Sequence, residues 1–280
     1  MAVVLAGLVA PALAGGAESR RYDLVRRIYR DGDLTFEATA ISSHTILAGE
    51  PGRELVGFER YVKYAGRQPI DLSTAAARFP AFSLSADSES LTALPDFKGF
   101  DPTLAGTVRD LRTVFLAVGP ESGWERMRAI GESALMTETR KTSWTDESVP
   151  VGQDCSRVTV ELTGLTPSKA VVKTTFSPPA SPCLVFKKPW MEAPFDADGQ
   201  ANNYQEVAVT GGRRKVAWGA QQIVVTATLE RATGKLLAAE LDHTRTLKER
   251  TACDVELDHC SPETPVLLRR TLKLSLRASP

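Results

Sequence analysis

The sequence has no excess of charge of either sign and few histidines. Its 34 Lys and Arg residues balance its 34 Asp and Glu residues, so net charge gives no reason to expect binding to nucleic acid or to an anionic membrane surface. The three histidines, His44, His243 and His259, leave little material for a histidine-based metal or acid–base site. We therefore predict no metal, no cofactor and no nucleic-acid partner.

Motifs that identify the common enzyme classes are also absent. The sequence contains no G-x-S-x-G, H-E-x-x-H, G-x-x-x-x-G-K-[ST], G-x-G-x-x-G or C-x-x-C-H pattern. The 42% hydrophobic and 24% charged residues are typical of a folded globular protein. These absences favour a non-catalytic role, and a structural or interaction protein of the envelope and an unrecognised hydrolase stay open as alternatives.

The first fourteen residues are typical of a secretory signal peptide. They carry no charge, have a short apolar centre and end in Ala12-Leu13-Ala14, which predicts cleavage after Ala14 and a mature domain of residues 15–280. The alternative is a buried N-terminal strand. No later segment is long and apolar enough to cross a membrane, so we expect an exported protein, periplasmic or secreted, without a transmembrane segment.

The four cysteines fit export, because an even number in a chain with a leader favours disulfides. Cys253 and Cys260 are seven positions apart in a turn-like stretch, so we predict that they pair and that Cys155 pairs with Cys183. A structural zinc site using His259 beside Cys260 is the alternative, although the C-x-x-C spacing common in zinc sites is missing.

Apolar and polar residues alternate with a period of two along much of the chain. Val158, Val160 and Leu162 share one face of a predicted strand, and similar alternation predicts hairpins at 22–41, 158–176 and 220–247. Such alternation is typical of antiparallel sheets with one face on a core. The predicted fold is mainly β, a large curved antiparallel sheet resembling a half-barrel, with one or two inserted helices against it.

One segment has helical periodicity instead. Asp101 and Pro102 are suited to the N-cap and first helical positions, and an apolar stripe follows at spacings of three and four until Gly119-Pro120: Leu104, Val108, Leu111, Phe115 and Val118. We predict a helix over 101–118 in a helical insertion of about 101–130, whose second helix begins at a capping box, Ser122-x-x-Glu125. Leu111 should be buried against the concave face of the sheet, and Arg112 should face water.

Two groups of residues are candidates for ligand contact. His243 and Arg245 share the strand parity of Ala239 and Leu241, so an inward face would place two polar groups in a cavity where they orient a ligand; a twist or bulge is the alternative. Trp190 and Phe195 lie in a Pro-rich stretch of 177–203, and their alternative is core or lid packing.

Several stretches resemble parts of exported, β-rich bacterial proteins of unassigned activity. They are Leu94-Pro95-Asp96, Val108-Arg109-Asp110-Leu111, Trp190-Met191 with Pro194, Asn202-Asn203-Tyr204, the Arg231–Lys235 turn and the Cys253/Cys260 pair. The resemblance implies export and a β-rich fold. At the level of fold, strands curled over a helix are also similar to half-barrel carriers of the bacterial envelope. We therefore expect non-catalytic binding or carrying of an apolar or amphipathic small molecule or lipid.

Overall fold

The computed structural model describes residues 18–46, 54–84, 97–136, 142–146, 149–154, 156–178 and 203–278. Several predictions concern residues outside these ranges. They are the signal peptide at 1–14, the Cys155–Cys183 disulfide, and ligand contact by Trp190 and Phe195.

Within these ranges, fourteen strands form one antiparallel sheet. They are β1 Glu18–Arg30, β2 Asp33–Ile46, β3 Glu54–Ala65, β4 Gln68–Asp71, β5 Phe82–Ser83, β6 Ser133–Met136, β7 Thr142–Asp146, β8 Val149–Asp154, β9 Arg157–Leu165, β10 Lys169–Ser177, β11 Tyr204–Thr210, β12 Arg213–Glu230, β13 Leu236–Cys253 and β14 Thr264–Leu276. The longest path through the sheet runs β4-β3-β2-β1-β14-β13-β12-β10-β9-β6. This confirms the predicted mainly β fold and places the first strand beside the last.

The three predicted hairpins are present. Strands β1 and β2 join at Asp31-Gly32, where both residues have positive φ angles of 52° and 93°, as a two-residue hairpin turn of the primed type requires. Strands β9 and β10 pair from Leu165 with Ala170 onward. Strands β12 and β13 pair along most of their length, with Ile223 opposite His243.

In the part of the chain that the structure describes, two α-helices interrupt the strands: α1 is Ser73–Ala77 and α2 is Pro102–Val118. The start of α2 is as predicted, because the Asp101 carboxylate accepts the N–H of Thr103 and Pro102 occupies the first turn. The predicted second helix after α2 is wrong. Two 3-10 turns, Pro120–Ser122 and Trp124–Arg126, take its place, separated by Gly123 at φ 69°, and the Ser122 hydroxyl donates to Gly119 O instead of capping a helix.

The main core lies between α2 and one face of the sheet. Leu111 is fully buried there, as predicted. The prediction that Arg112 faces water is wrong, since its exposed fraction is only 4%. At 100° per residue, the buried positions of α2 reach about 120° to either side of Leu111. The helix is therefore enclosed around about two thirds of its circumference, as in a groove, and a residue 100° from the centre of the stripe is still inside.

Cys253 and Cys260 form the predicted disulfide, with their Cα atoms 4.0 Å apart. The zinc alternative for this pair is wrong, because both sulfur atoms are consumed in the bond. His259 instead contacts Asp254, with Nδ1 2.7 Å from Oδ2. The bridge closes the loop between β13 and β14 and so fixes the two strands that carry the central polar residues described next.

Candidate functional site

A row of polar side chains crosses the face of the sheet under α2. Arg26 of β1, Arg270 of β14, His243 of β13 and Gln221 of β12 come from four strands that are adjacent in the sheet. Each lies on the face of its strand that also carries buried apolar residues. On β1 these apolar residues are Tyr22 and Leu24. We call Arg26, Arg270, His243, Gln221 and Arg245 the polar row.

The polar row meets α2 at Asp110. Arg26 Nε donates to Asp110 Oδ2 at 2.6 Å, and Arg270 Nε lies 2.9 Å from Oδ1. Asp110 is 1% exposed and Arg26 is 4% exposed. Gly106, one turn earlier on α2, makes room for this pair, since a Cβ at that position would lie 2.6 Å from the Arg26 Nη2. The missing side chain lets the arginine pass close to the helix.

His243 is neutral in this arrangement. Arg270 Nη2 lies 2.7 Å from His243 Nδ1, and Gln221 Oε1 lies 2.9 Å from His243 Nε2. A guanidinium only donates, and guanidinium N–H groups face both ring nitrogens, Arg270 Nη2 at Nδ1 and Arg245 Nε at Nε2, which a doubly protonated ring could not accept. Burial, with the positive charges of Arg245 and Arg270, holds the pKa of His243 well below its usual range. The imidazole therefore orients Arg270 without adding charge.

Arg245 extends the polar row toward β11. Its Nε lies 3.0 Å from His243 Nε2, its Nη1 donates to the Tyr204 hydroxyl at 3.0 Å, and its guanidinium lies 4.1 Å from the centre of the Tyr204 ring. Tyr204 in turn donates to Glu206 at 2.5 Å. Burial raises the pKa of the Tyr204 hydroxyl, so the ring stays neutral. Stacking on an aromatic face fixes the guanidinium while leaving its charge in place.

The sequence-based candidates His243 and Arg245 thus lie side by side, both with a nitrogen against other members of the polar row. Sequence reasoning missed Arg26, Asp110 and Arg270. The signal for Arg26 was present, because it follows Tyr22 and Leu24 at the same strand parity. Asp110 lies 100° from Leu111 on the helix, outside the stripe used for the prediction.

At the C-terminal end of α2 the apolar interface continues into a cavity of about 280 Å³. Its wall includes members of the main core: Trp124, Met127, Leu162 and Ala170. Its rim carries polar residues from the 3-10 turn and the β12–β13 loop: Glu125, Arg128, Arg231 and Thr233. The cavity therefore has an apolar base and a largely polar mouth, and its volume is just below about 300 Å³, where small-molecule pockets begin.

A second buried polar chain lies on β2 and β3. Ser42 Oγ is 2.9 Å from His44 Nε2, and His44 Nδ1 is 3.0 Å from Glu54 Oε2. This order of hydroxyl, imidazole and carboxylate also occurs in serine hydrolases. Phe115 of α2 stacks on His44 at 5.2 Å between ring centres, and the exposed fraction of Ser42 is 0%. A nucleophile must reach its substrate, so the geometry supports a structural chain of hydrogen bonds here.

Among the residues that the structure describes, no three or more His, Cys, Asp or Glu side chains cluster in a way that could hold a metal ion. In the same part of the chain, no helix is both long enough and apolar enough to span a membrane.

Comparison with known proteins gives no family for this chain. No protein-family description and no curated protein matches it. The structure has weak similarity to solved bacterial proteins. The outer membrane protein OmpT of Vibrio cholerae, in its trimer form, is 8% identical, covers 93% of this chain and 99% of its own, and has a TM-score of 0.16. A LolA superfamily protein from Nitrosomonas europaea is 9% identical, with 94% and 88% coverage and a TM-score of 0.13. Scores this low carry no argument about function.

Proposed function

We propose that this protein binds or carries an apolar or amphipathic small molecule in the groove between α2 and the sheet. The observation that carries the proposal is the cavity at the Trp124 end of α2, because its base is formed by members of the same core cluster that contains the apolar face of α2. A ligand tail that enters there would pass the polar mouth, reach the apolar base and continue toward the core beneath α2. The polar row lies further along the same groove and faces the helix at Asp110.

Polar contacts hold α2 at its two ends as well as at Asp110. At the N-terminal end, Lys63 Nζ donates to Asp101 at 2.6 Å. At the C-terminal end, Thr174 Oγ1 donates to the Ala117 carbonyl at 2.6 Å and Trp124 Nε1 to the Val118 carbonyl at 3.1 Å. In this proposal α2 acts as a cover, although Asp110 pairs with both Arg26 and Arg270 and the apolar face of the helix is part of the main core. Moving it aside would open the apolar surface on which it packs to an alkyl chain.

Export is part of the proposal. The Cys253–Cys260 disulfide forms and persists in oxidising compartments such as the periplasm and the extracellular space. The apolar first fourteen residues supply the signal for that route. Outside the cytoplasm, the groove under α2 would shield the bound apolar molecule from water. Sequencing the N-terminus of the exported protein tests this part, since it should begin at Gly15.

The binding site is tested by filling the mouth of the cavity. Thr233 is exposed and lies at the rim, so Thr233→Trp places a large ring across the opening without disturbing the core. We expect titration with N-phenyl-1-naphthylamine, a neutral apolar probe that fluoresces when removed from water, to show binding to the wild type and at least about tenfold weaker binding to the variant.

The matched control is Thr226→Trp. Thr226 is also exposed and also lines a cavity, but on the other face of the sheet with Asp242 and Arg269. The control should bind the probe as the wild type does. Absence of probe binding to the wild type, or equal loss in both variants, would overturn the proposed site.

A further inference from the structure

We propose that the ligand's head group is an anion, a carboxylate or a phosphate monoester, bound by Arg26 and Arg270 in the place that Asp110 now occupies, with the charge of Arg245 close by. This inference rests on the proposed function, because it assigns the chemistry of the ligand in the same groove. It goes beyond that function by naming the class of amphipath: an anionic one in preference to a neutral one of equal length.

The polar row has more positive than negative charge. Three arginines belong to the polar row: Arg245 and Arg270 contact the two nitrogens of the neutral His243, and Arg26 lies on the strand beside that of Arg270. Asp110 is the carboxylate that contacts Arg26 and Arg270. A group of buried or partly buried guanidinium ions is stable only with anions close by. In the closed protein, Asp110 supplies one such anion.

The arginines and the carboxylate that neutralises them come from different elements of the fold. The arginines belong to the sheet, whereas Asp110 belongs to α2. When α2 moves to admit an alkyl chain, Asp110 leaves with it and the arginines stay. An anionic head group entering with the chain then restores the ion pairs, while a hydroxyl or an ester leaves them unpaired. A ligand that replaces both the apolar contacts and the ion pairs of α2 therefore has an anionic group at one end of its alkyl chain.

Contacts with uncharged groups hold the three arginines in position. Arg270 is oriented by His243 Nδ1 at 2.7 Å, Arg245 by the Tyr204 ring at 4.1 Å, and Arg26 by the Phe36 ring, whose centre lies 5.4 Å from its guanidinium carbon. These three supports are uncharged, so they hold the guanidinium groups in position and leave their charges available. Two or more preoriented guanidinium groups bind the oxygens of a carboxylate or phosphate by charge-assisted hydrogen bonds.

The test compares decanoate, decyl phosphate and 1-decanol, which share one alkyl chain. Each is titrated against the full chain loaded with N-phenyl-1-naphthylamine, and displacement of the probe gives its Kd. We expect at least one of the two anions to bind about tenfold or more tightly than decanol, the effect of hydrogen bonds to a charged group. The ranking of decanoate against decyl phosphate separates a fatty-acid-like from a phospholipid-like head group.

Substitutions locate the effect. Arg270→Met and Arg26→Met should each bring the ratio of anion affinity to decanol affinity close to one, and Asp110→Asn should raise that ratio by removing the competing carboxylate. The controls are Arg269→Met and Asp242→Asn, which disrupt an exposed Arg–Asp pair on the other face of the sheet. Because the wild-type comparison needs no variant, a variant that fails to fold does not decide the result.

The outcomes separate this inference from the proposed function. If the probe binds and all three ligands displace it equally, the inference is overturned and the apolar site stands. If anions bind more tightly but Arg269→Met abolishes the difference as fully as Arg270→Met, the assigned arginines are wrong. If the probe does not bind at all, the site and the inference fail together.

Discussion

Replacing Asp110 with Ala should lower the free energy of unfolding by about 3–5 kcal/mol, the cost of removing one partner of a buried ion pair. The variant leaves Arg26, which is 4% exposed, and the neighbouring Arg270 without the carboxylate that contacts both. Burial already lowers the pKa of Arg270 from its usual range despite the opposing effect of Asp110. Loss of Asp110 removes the opposing effect and makes the buried positive charge of Arg270 less favourable. Urea unfolding of the wild type and the variant measures the difference.

The matched control is Asp242→Ala. Asp242 also binds an arginine through both oxygens, with Arg269 Nη2 2.6 Å from Oδ2, but the pair is exposed on the other face of the sheet. Its loss should cost less than about 1 kcal/mol, as for other surface ion pairs. Similar costs for the two aspartates would mean that the ion pair under α2 is as well hydrated as the surface pair.

Truncation of Leu111 to Ala should cost about 2–5 kcal/mol, the range for core leucines whose removal leaves a partial cavity. Leu111 is fully buried at the centre of the helical surface that faces the sheet. The surrounding strands belong to one continuous sheet and close only partly around the missing atoms. Urea unfolding of the wild type and the variant measures the cost.

Thr113→Ala is the control on the same helix. The Thr113 hydroxyl donates to the Arg109 carbonyl within α2 itself, and alanine favours helix more than threonine does. This variant should change the free energy of unfolding by less than about 0.5 kcal/mol. If Leu111→Ala and Thr113→Ala had equal effects, α2 would not contribute its apolar stripe to the core.

Local patterns were sufficient to predict most of the fold. The period of two gave the three hairpins because alternation and turn residues act within a few positions of one another, as at Asp31-Gly32. The start of α2 followed from Asp101 and Pro102 for the same reason. The 3-10 turns after α2 were missed because Ser122 and Glu125 have the spacing of a capping box, while Gly123 between them adopts a positive φ that ends the first turn.

The candidate site was predicted only in part, because its contacts join residues far apart in sequence. His243 and Arg245 were found from strand parity alone. The partner of Arg26 is 84 positions away on the helix, and no local pattern relates the two. The prediction that Arg112 is exposed failed for a related reason. It assumed that α2 packs on a flat surface, which buries one stripe of a helix, whereas the buried residues of α2 extend around about two thirds of its circumference. Curvature of the sheet is a property of many strands together.

The most direct test of a ligand site beneath α2 is to lock the helix onto the sheet. The Thr174 hydroxyl already meets the Ala117 carbonyl at 2.6 Å, so Ala117→Cys with Thr174→Cys places two thiols where α2 and β10 touch. Binding of N-phenyl-1-naphthylamine is then measured with the cross-link formed and after reduction, alongside the wild type under both conditions, because reduction also opens Cys253–Cys260. We predict that the cross-linked protein loses probe binding and regains it on reduction. Equal binding by the cross-linked and reduced proteins would contradict a ligand site beneath α2.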